Sequence, residues 1–346
     1  MTGYKIKYNG IDRLYNAYSW RLTRRAKAAW SSGQVLQGQF LKQLETEIAE
    51  KYNRKYAVGI GSATDGLYFA MRAVGLNKGS TVMCPALSYI ATANAIKRLG
   101  AKIQFVDTDQ MGLIGDLQYK EIPDAVVYVN LFGNCADYEK LRQYCTKHSI
   151  PLIEDAAQSQ GAIFKKIPSG ALGDISVFSF DPMKNMPSFG GGGMVLTDEE
   201  QQYKQVLSMR KNGTYNSMLS EDHANQLLLI LDKFKKLQKM RKKVYQRYRE
   251  HLPNAHFLID EKDKPSYHKL VMITKHRDAL QKHLAEAGIE TKIHYKEILD
   301  SKYVGLYSYP CADSICANAI SLPIYPYLKN DEIDYICETI GKFDVR

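Results

Sequence analysis

Residues 175–197 read ISVFSFDPMKNMPSFGGGGMVLT, and the reading of this stretch decides the fold. An apolar run of strand character (Ile175, Val177, Phe178, Phe180) breaks at Asp181-Pro182 and passes one lysine, Lys184, through a short irregular turn. It then enters a second strand (Met194, Val195, Leu196) through four glycines, 190–193. One amine is pinned between two strands that read as buried. Glycines at such a place let the backbone approach a bulky ligand or adopt positive φ, which a residue with a Cβ does only at a cost. A partly desolvated lysine loses some of the advantage of its charged form, so its neutral amine becomes available for a Schiff base. Taken alone, the stretch reads first as a loop with one solvated lysine, and the case for chemistry has to come from the rest of the chain.

Toward the N-terminus, strands alternate with helices. Residues 1–32 are basic and aromatic and read as an arm or helix packing on the main domain. A helix is expected over 39–52, with Phe40, Leu44 and Ile48 on its core face. A strand at 56–60 leads into GSATDG, where Ser62 and Thr64 can cap a helix that carries Leu67, Ala70, Met71 and Val74 and ends at Gly75. Such a helix start suits a phosphate, and it suits a plain N-cap as well. Further strands are expected at 81–84, 102–106 and 125–130, and a helix at 138–148. This order indicates a parallel or mixed sheet covered on both faces, which binds ligands outside the carboxyl ends of its strands. The candidates gather at those ends: Thr64 and Asp65, Tyr89, Asp155 with Gln158, and Ser179 with Lys184. A carboxylate, hydroxyls at a helix start, an aromatic and a lysine are a sufficient set for pyridoxal phosphate.

The totals fit this picture. A chain of 346 residues accommodates a large core and a smaller one. No apolar run reaches the ~18 residues of a membrane span, and the opening MTGYKIKYNG has no signal-peptide core. The six cysteines are scattered, with no metal-ligand spacing, so we expect reduced thiols in a cytoplasm and no metal. The net charge of +10 is concentrated in 233–249, KFKKLQKMRKKVYQRYR, where Phe234, Leu237, Val244 and Tyr248 recur near helical spacing. We read a solvated helix face there and no nucleic-acid contact, because no recognised motif accompanies it.

In this order, SATDGL, PALSYIATANAI, FVDTD, IEDAAQSQGA, GDISVFSFDPMKN with GGGGMVLT, IHY and SLPIYPYL resemble the DegT/DnrJ/StrS family of sugar aminotransferases over about residues 33–340. The resemblance implies an α/β chain of the fold type I of pyridoxal-phosphate transferases. Its large domain (1–232, with the N-terminal arm) would hold a mostly parallel seven-stranded sheet, and a smaller α+β domain would follow (233–346). It implies Lys184 as Schiff-base lysine and proton shuttle, Asp155 at the pyridinium nitrogen, Gln158 at the ring hydroxyl and Tyr89 stacked on the ring. Ala63, Thr64 and Ser179 would hold the phosphate, with Asn216 reaching over from the second subunit of a homodimer. Arg210, His294 and Tyr295 are candidates for substrate contact, each equally readable as structural; Glu154 is read as a structural carboxylate. The chain also departs from the family pattern at Gly191, Pro187, Gln160, Met218 and Asn225, and its 212–225 loop is short.

The expected activity is transfer of an amino group from an amino acid, with glutamate as the expected donor, to a nucleoside-diphosphate-linked keto-deoxysugar, through the Lys184 Schiff base and pyridoxamine phosphate. Two alternatives stay open: a non-nucleotide ketone such as a cyclitol, and a non-catalytic regulator that binds the cofactor. In the C-terminal part we expect strands at 267–273 and 288–294, a helix at 331–342, and SLPIYP as an extended segment returning against the large domain.

Overall fold

A computed structural model of the chain describes residues 3–117, 121–211, 215–303, 305 and 307–343. The start of the altered loop, 212–214, and the outermost residues of the two expected domains, 1–2 and 344–346, lie outside the described residues.

Seven strands form the central sheet: β1 (Tyr56–Ile60), β2 (Thr81–Pro85), β3 (Lys102–Val106), β4 (Ala125–Val129), β5 (Leu152–Asp155), and, after a two-residue hairpin of β6 (Ile163–Phe164) and β7 (Ile167–Pro168), β8 (Ile175–Ser179) and β9 (Gly193–Thr197). Their spatial order is β1-β9-β8-β5-β4-β2-β3. Only β9 runs against its neighbours; the other six strands are parallel. β4, β8 and β9 are buried along their whole length, which explains their unbroken apolar sequences.

One face of the sheet packs on α3 (Ala63–Ala73), α4 (Ile90–Leu99) and α5 (Tyr138–His148). The other packs on α1 (Ile11–Ser31), α2 (Gln39–Lys51) and the long α7 (Glu221–His251), with Leu14, Leu22, Leu44, Ile48, Phe178, Phe180 and Leu227 in one cluster. A third cluster gathers Val244 and Tyr248 of α7, Leu270 of β10 (Leu270–Ile273), Ile320 of β11 (Ala319–Leu322) and Ile333 of the helix Asn330–Gly341.

Several expectations change in this C-terminal half. The basic helix begins at Glu221, not near Lys233, so residues 232 and 233 are neighbours inside α7, whose N-terminal part serves the large cluster and whose C-terminal part serves the third. Residues 288–294 form no strand; Ile289 bridges Ile6, and Lys292 bridges Ser321. The SLPIYP segment touches both sides: Ile324, Tyr325 and Pro326 border a small cavity with Leu14, Pro182 and Lys184 of the large domain, as expected, and the segment also builds the small domain. Its first residues belong to β11, paired with β10, and Ile324 and Tyr325 join the third cluster, where Arg241 and Tyr248 donate to the carbonyls of Ile324 and Pro323. The arm also divides: α1 packs on α7 as expected of a main-domain element, but Ile6 is buried in the third cluster. Asp107, at the end of β3, accepts from the N–H groups of Cys311 and Ala312 (both 3.0 Å) and so caps the helix Pro310–Asn318 onto the sheet.

Candidate active site

The parallel strands end on one edge of the sheet, and a cavity of about 550 Å³ opens there. Ala63 and Thr64 at the start of α3, Tyr89, Asp155, Gln158, Ser179 and Lys184 all line it, as do His294 and Tyr295. The turn after β1 delivers the start of α3. Ser62 caps it by accepting from Asp65 N–H (3.2 Å), leaving the first-turn N–H groups that a helix cannot satisfy internally. Asp65 is kept from opposing an anion there, because its carboxylate is held by Arg98 (2.6 Å) and by the hydroxyls of Ser217 (2.7 Å) and Ser62 (3.1 Å).

Two of the four glycines shape this edge. Gly192 has φ +153° and lines the cavity. Gly193 has no unusual φ, but a Cβ there would lie 2.8 Å from Ala63 N, 2.9 Å from Phe178 O and 3.0 Å from the Ser62 carbonyl carbon. The close approach is therefore between β9 and the backbone that starts α3, a fold requirement that places Ala63 and Thr64 beside Lys184.

Asp155 closes β5 and is 5% exposed. Its Oδ1 accepts from Ala157 N–H and its Oδ2 from the Thr92 hydroxyl, both at 3.1 Å. Burial raises its carboxyl above the ordinary range, against the pull of Ala157, Lys184 and Thr92. Lys184 is half-buried, and desolvation lowers its ammonium, against the attraction of Asp155 and Asp181. Gln158 accepts from Phe132 N–H (3.2 Å) and donates to the Tyr295 hydroxyl (2.9 Å), so two candidates far apart in sequence hold one another. Tyr89 stands 60% exposed on the cavity wall. Ser179 lines the cavity and accepts from Asp181 N–H (3.3 Å). Next to Asp155, Glu154 is fully buried and receives Asn130, Ser169 and Ser176 side chains and the N–H groups of Gly170 and Leu172. That is the structural carboxylate the sequence suggested.

Two candidates lie elsewhere. Arg210 is 4% exposed, pairs with Glu45 and donates to the Gly59 carbonyl (2.9 Å), so its guanidinium fastens α6 (Glu200–Lys211) to α2 and β1 instead of facing the cavity. Asn216 is exposed, has φ +45° and does not line the cavity within this chain.

The small-domain wall carries residues the sequence reading passed over: Tyr8, His268, Lys269 and Lys292. Tyr8 and His294 Nε2 share a hydrogen bond of 2.8 Å. His268 is buried, with Nδ1 3.0 Å from Asn185 Oδ1. Because Asn185 Nδ2 donates to the Ser266 carbonyl, its Oδ1 is the acceptor; Nδ1 carries the proton and Nε2, with no partner among the described residues, is a bare acceptor. Burial, then the nearby Lys269 and Lys184, hold both histidines well below the usual value and so neutral. Lys269 is 7% exposed, and its signal was a lone cation inside the apolar run YHKLVMI. Among the described residues no group of three or more His, Cys, Asp or Glu could hold a metal ion, and no helix is long and apolar enough to cross a membrane.

Comparison with known proteins follows the same geometry. The model of the DegT/DnrJ/EryC1/StrS aminotransferase family matches residues 20–341. A pleiotropic regulatory protein of Geobacillus stearothermophilus is 30% identical over 90% of this chain and 91% of its own. The dTDP-3-amino-3,4,6-trideoxy-alpha-D-glucose transaminase of Streptomyces venezuelae is 30% identical over 91% of this chain and 90% of its own. The solved structure of S. venezuelae DesV, in complex with a ketimine intermediate, superposes with a TM-score of 0.92 at 27% identity, covering 98% of this chain and 99% of that one.

Proposed function

The chain belongs to the DegT/DnrJ/EryC1/StrS aminotransferase family, and from that premise we propose that it moves an amino group from an amino acid, glutamate first among candidates, to a nucleoside-diphosphate-linked keto-deoxysugar. The observation that carries the proposal is Lys184: a half-buried amine that, among the described residues, forms no ion pair and lines, with the carboxylate of Asp155, a cavity that also holds a helix N-terminus.

These groups fit pyridoxal phosphate. Lys184 Nζ would attach it, Asp155 would meet its ring nitrogen, and the second amide hydrogen of Gln158, not used by Tyr295, would meet its ring hydroxyl. Tyr89 would cover the ring, and Ala63, Thr64 and Ser179 would take the phosphate, joined by Asn216 from a second copy of the chain in a symmetric homodimer. When bound, the cofactor supplies an electron sink for the carbon that loses its proton. Burial raises the Asp155 carboxyl, so a cation opposite it favours its charged form, and in that form it would hold a proton at the ring nitrogen. Desolvation lowers the Lys184 ammonium, which eases the loss of its proton and would equip Nζ to attach the cofactor and then to carry the substrate proton. The six free cysteines suit a cytoplasmic setting.

The test is the absorption spectrum of the purified protein before and after excess L-glutamate. A yellow band of lysine-bound cofactor that gives way to the pyridoxamine phosphate spectrum supports the proposal, and a panel of keto-sugar nucleotides and cyclitol ketones then identifies the acceptor. Lys184→Ala should keep the fold and lose the conversion. A protein that stays colourless with added pyridoxal phosphate overturns the proposal, and one that turns yellow but ignores every amino donor favours the non-catalytic regulator.

A further inference from the structure

We propose that Lys269 is the specificity residue that reads a carboxylate on, or next to, the reacting carbon of the substrate. The proposal rests on the aminotransferase reading for the identity of that carbon. Lys269 lines the same cavity as Lys184 and lies within reach of its charge. Both lysines also border a second, small cavity of about 30 Å³, together with Tyr8, Arg241 and Tyr325. Among the described residues no carboxylate forms an ion pair with it; its company is the ring of Tyr8, 5.1 Å from the ammonium. The charges that reach it are Lys184 and Arg241, both repelling, and Asp181, attracting. An ammonium buried without an anion is costly, and a pocket wall holds one stably in use when the ligand brings the anion.

The position of the ammonium selects the anion. In a nucleotide-linked sugar the diphosphate sits on the anomeric carbon, separated by ring atoms from a ketone at C4, whereas the acid of a uronate is carried by C5, which adjoins that ketone. A group that engages Lys269 while the reacting carbon lies at Lys184 is instead attached close to that carbon. Two sources offer such a carboxylate: the α-carboxylate of the amino donor, and the acid of a uronate keto-sugar. Both make the same charge-assisted hydrogen bond.

Two measurements on the cofactor-loaded protein, wild type beside Lys269→Met and Lys269→Arg, separate the sources. The first is the L-glutamate concentration giving half-maximal spectral conversion, together with the limiting rate. The second is calorimetric affinity for UDP-glucuronate against UDP-glucose. If the donor is read, the methionine variant needs about ten-fold more glutamate or greater at a little-changed limiting rate, and arginine restores much of the loss. If a sugar acid is read, wild type prefers UDP-glucuronate about ten-fold or more and the methionine variant loses the preference. Either result supports the proposal. Unchanged values in both measurements overturn it, as does a lower melting temperature for Lys269→Met with unchanged affinities, which would assign Lys269 to structure.

Should the methionine variant fail to fold, wild type alone decides. Absence of preference both for UDP-glucuronate over UDP-glucose and for L-glutamate over 4-aminobutyrate, which lacks the α-carboxylate, overturns the proposal. A wild type whose spectrum ignores glutamate defeats the aminotransferase reading instead, while the calorimetric comparison still reports on Lys269.

Discussion

Gly193→Ala is the substitution that joins fold and site most directly. The added Cβ would meet three backbone atoms, Ala63 N at 2.8 Å, Phe178 O at 2.9 Å and the Ser62 carbonyl carbon at 3.0 Å. None of them is the far end of a side chain that can swing away. Relief requires β9 to shift against β8 and the start of α3, and overpacking of this kind costs about 1–3 kcal/mol. The shift also moves Ala63 N–H, one of the groups assigned to the phosphate. A charge-assisted hydrogen bond is worth about 1.5–3 kcal/mol, so losing much of one weakens pyridoxal phosphate binding roughly ten-fold. The assay pairs a urea unfolding curve, read at its midpoint, with a spectral titration of cofactor into apoprotein. Gly191→Ala is the control: its Cβ meets only Gly61 O, at 3.2 Å, so it should cost less than about 1 kcal/mol and leave cofactor affinity within a few-fold. Wild-type stability and affinity in Gly193→Ala, or a larger loss from Gly191→Ala, would refute the steric reasoning.

Asp155→Asn should fold and bind cofactor but convert with glutamate at least about a hundred-fold more slowly, since a neutral amide cannot hold a proton on the ring nitrogen; stopped-flow rates comparable to wild type would remove Asp155 from the chemistry. Glu154→Gln turns an acceptor of five or more hydrogen bonds into a group with an inward-pointing NH₂, and should cost about 3 kcal/mol or more in denaturant unfolding; a loss under 1 kcal/mol would contradict the network. Lys269→Met should stabilise the ligand-free protein near neutral pH. Burial, then Lys184 and Arg241, place the folded-state value of Lys269 well below its ordinary 10.5, with only Asp181 opposing. The neighbouring Tyr8, His268 and His294 are neutral at that pH. The unfolded chain therefore binds the proton more tightly, and the advantage of methionine fades as pH rises toward 10.5. An advantage that grows with pH would contradict the assignment.

The centre of the sheet was readable because strands such as β4 and β8 are buried on both faces and so carry largely apolar runs; ISVFS and AVVYV admit few other readings. Lys184, Asp155, Gln158 and the SAT turn were readable because each stands just past such a run, where ligands of parallel sheets gather. The sequence left Arg210 open between substrate contact and structure because its partner, Glu45, is 165 residues away and nothing local announces it. The segment 288–294 alternates apolar and polar residues like a strand, but its pairings reduce to single bridges with Ile6 and Ser321. Lys269 escaped notice because a lysine in an apolar run is ordinarily read as pointing to water. Its burial follows from the packing of the arm, Tyr8 above all, against the small domain, which no local pattern encodes.

That arm has a kinetic consequence. Ile6 bridges Ile289, and Tyr8 N–H donates to Glu290 across 282 residues of intervening chain, while the sheet can assemble from pairings much nearer in sequence. Contacts that close so long a loop form late, because the entropy of closure falls due before they return anything. The wall bearing Tyr8, His294 and Lys269 is thus completed after the sheet edge bearing Lys184 and Asp155. A refolding preparation passes through a species with its secondary structure in place and its substrate wall open, so recovery of ellipticity should run ahead of recovery of activity.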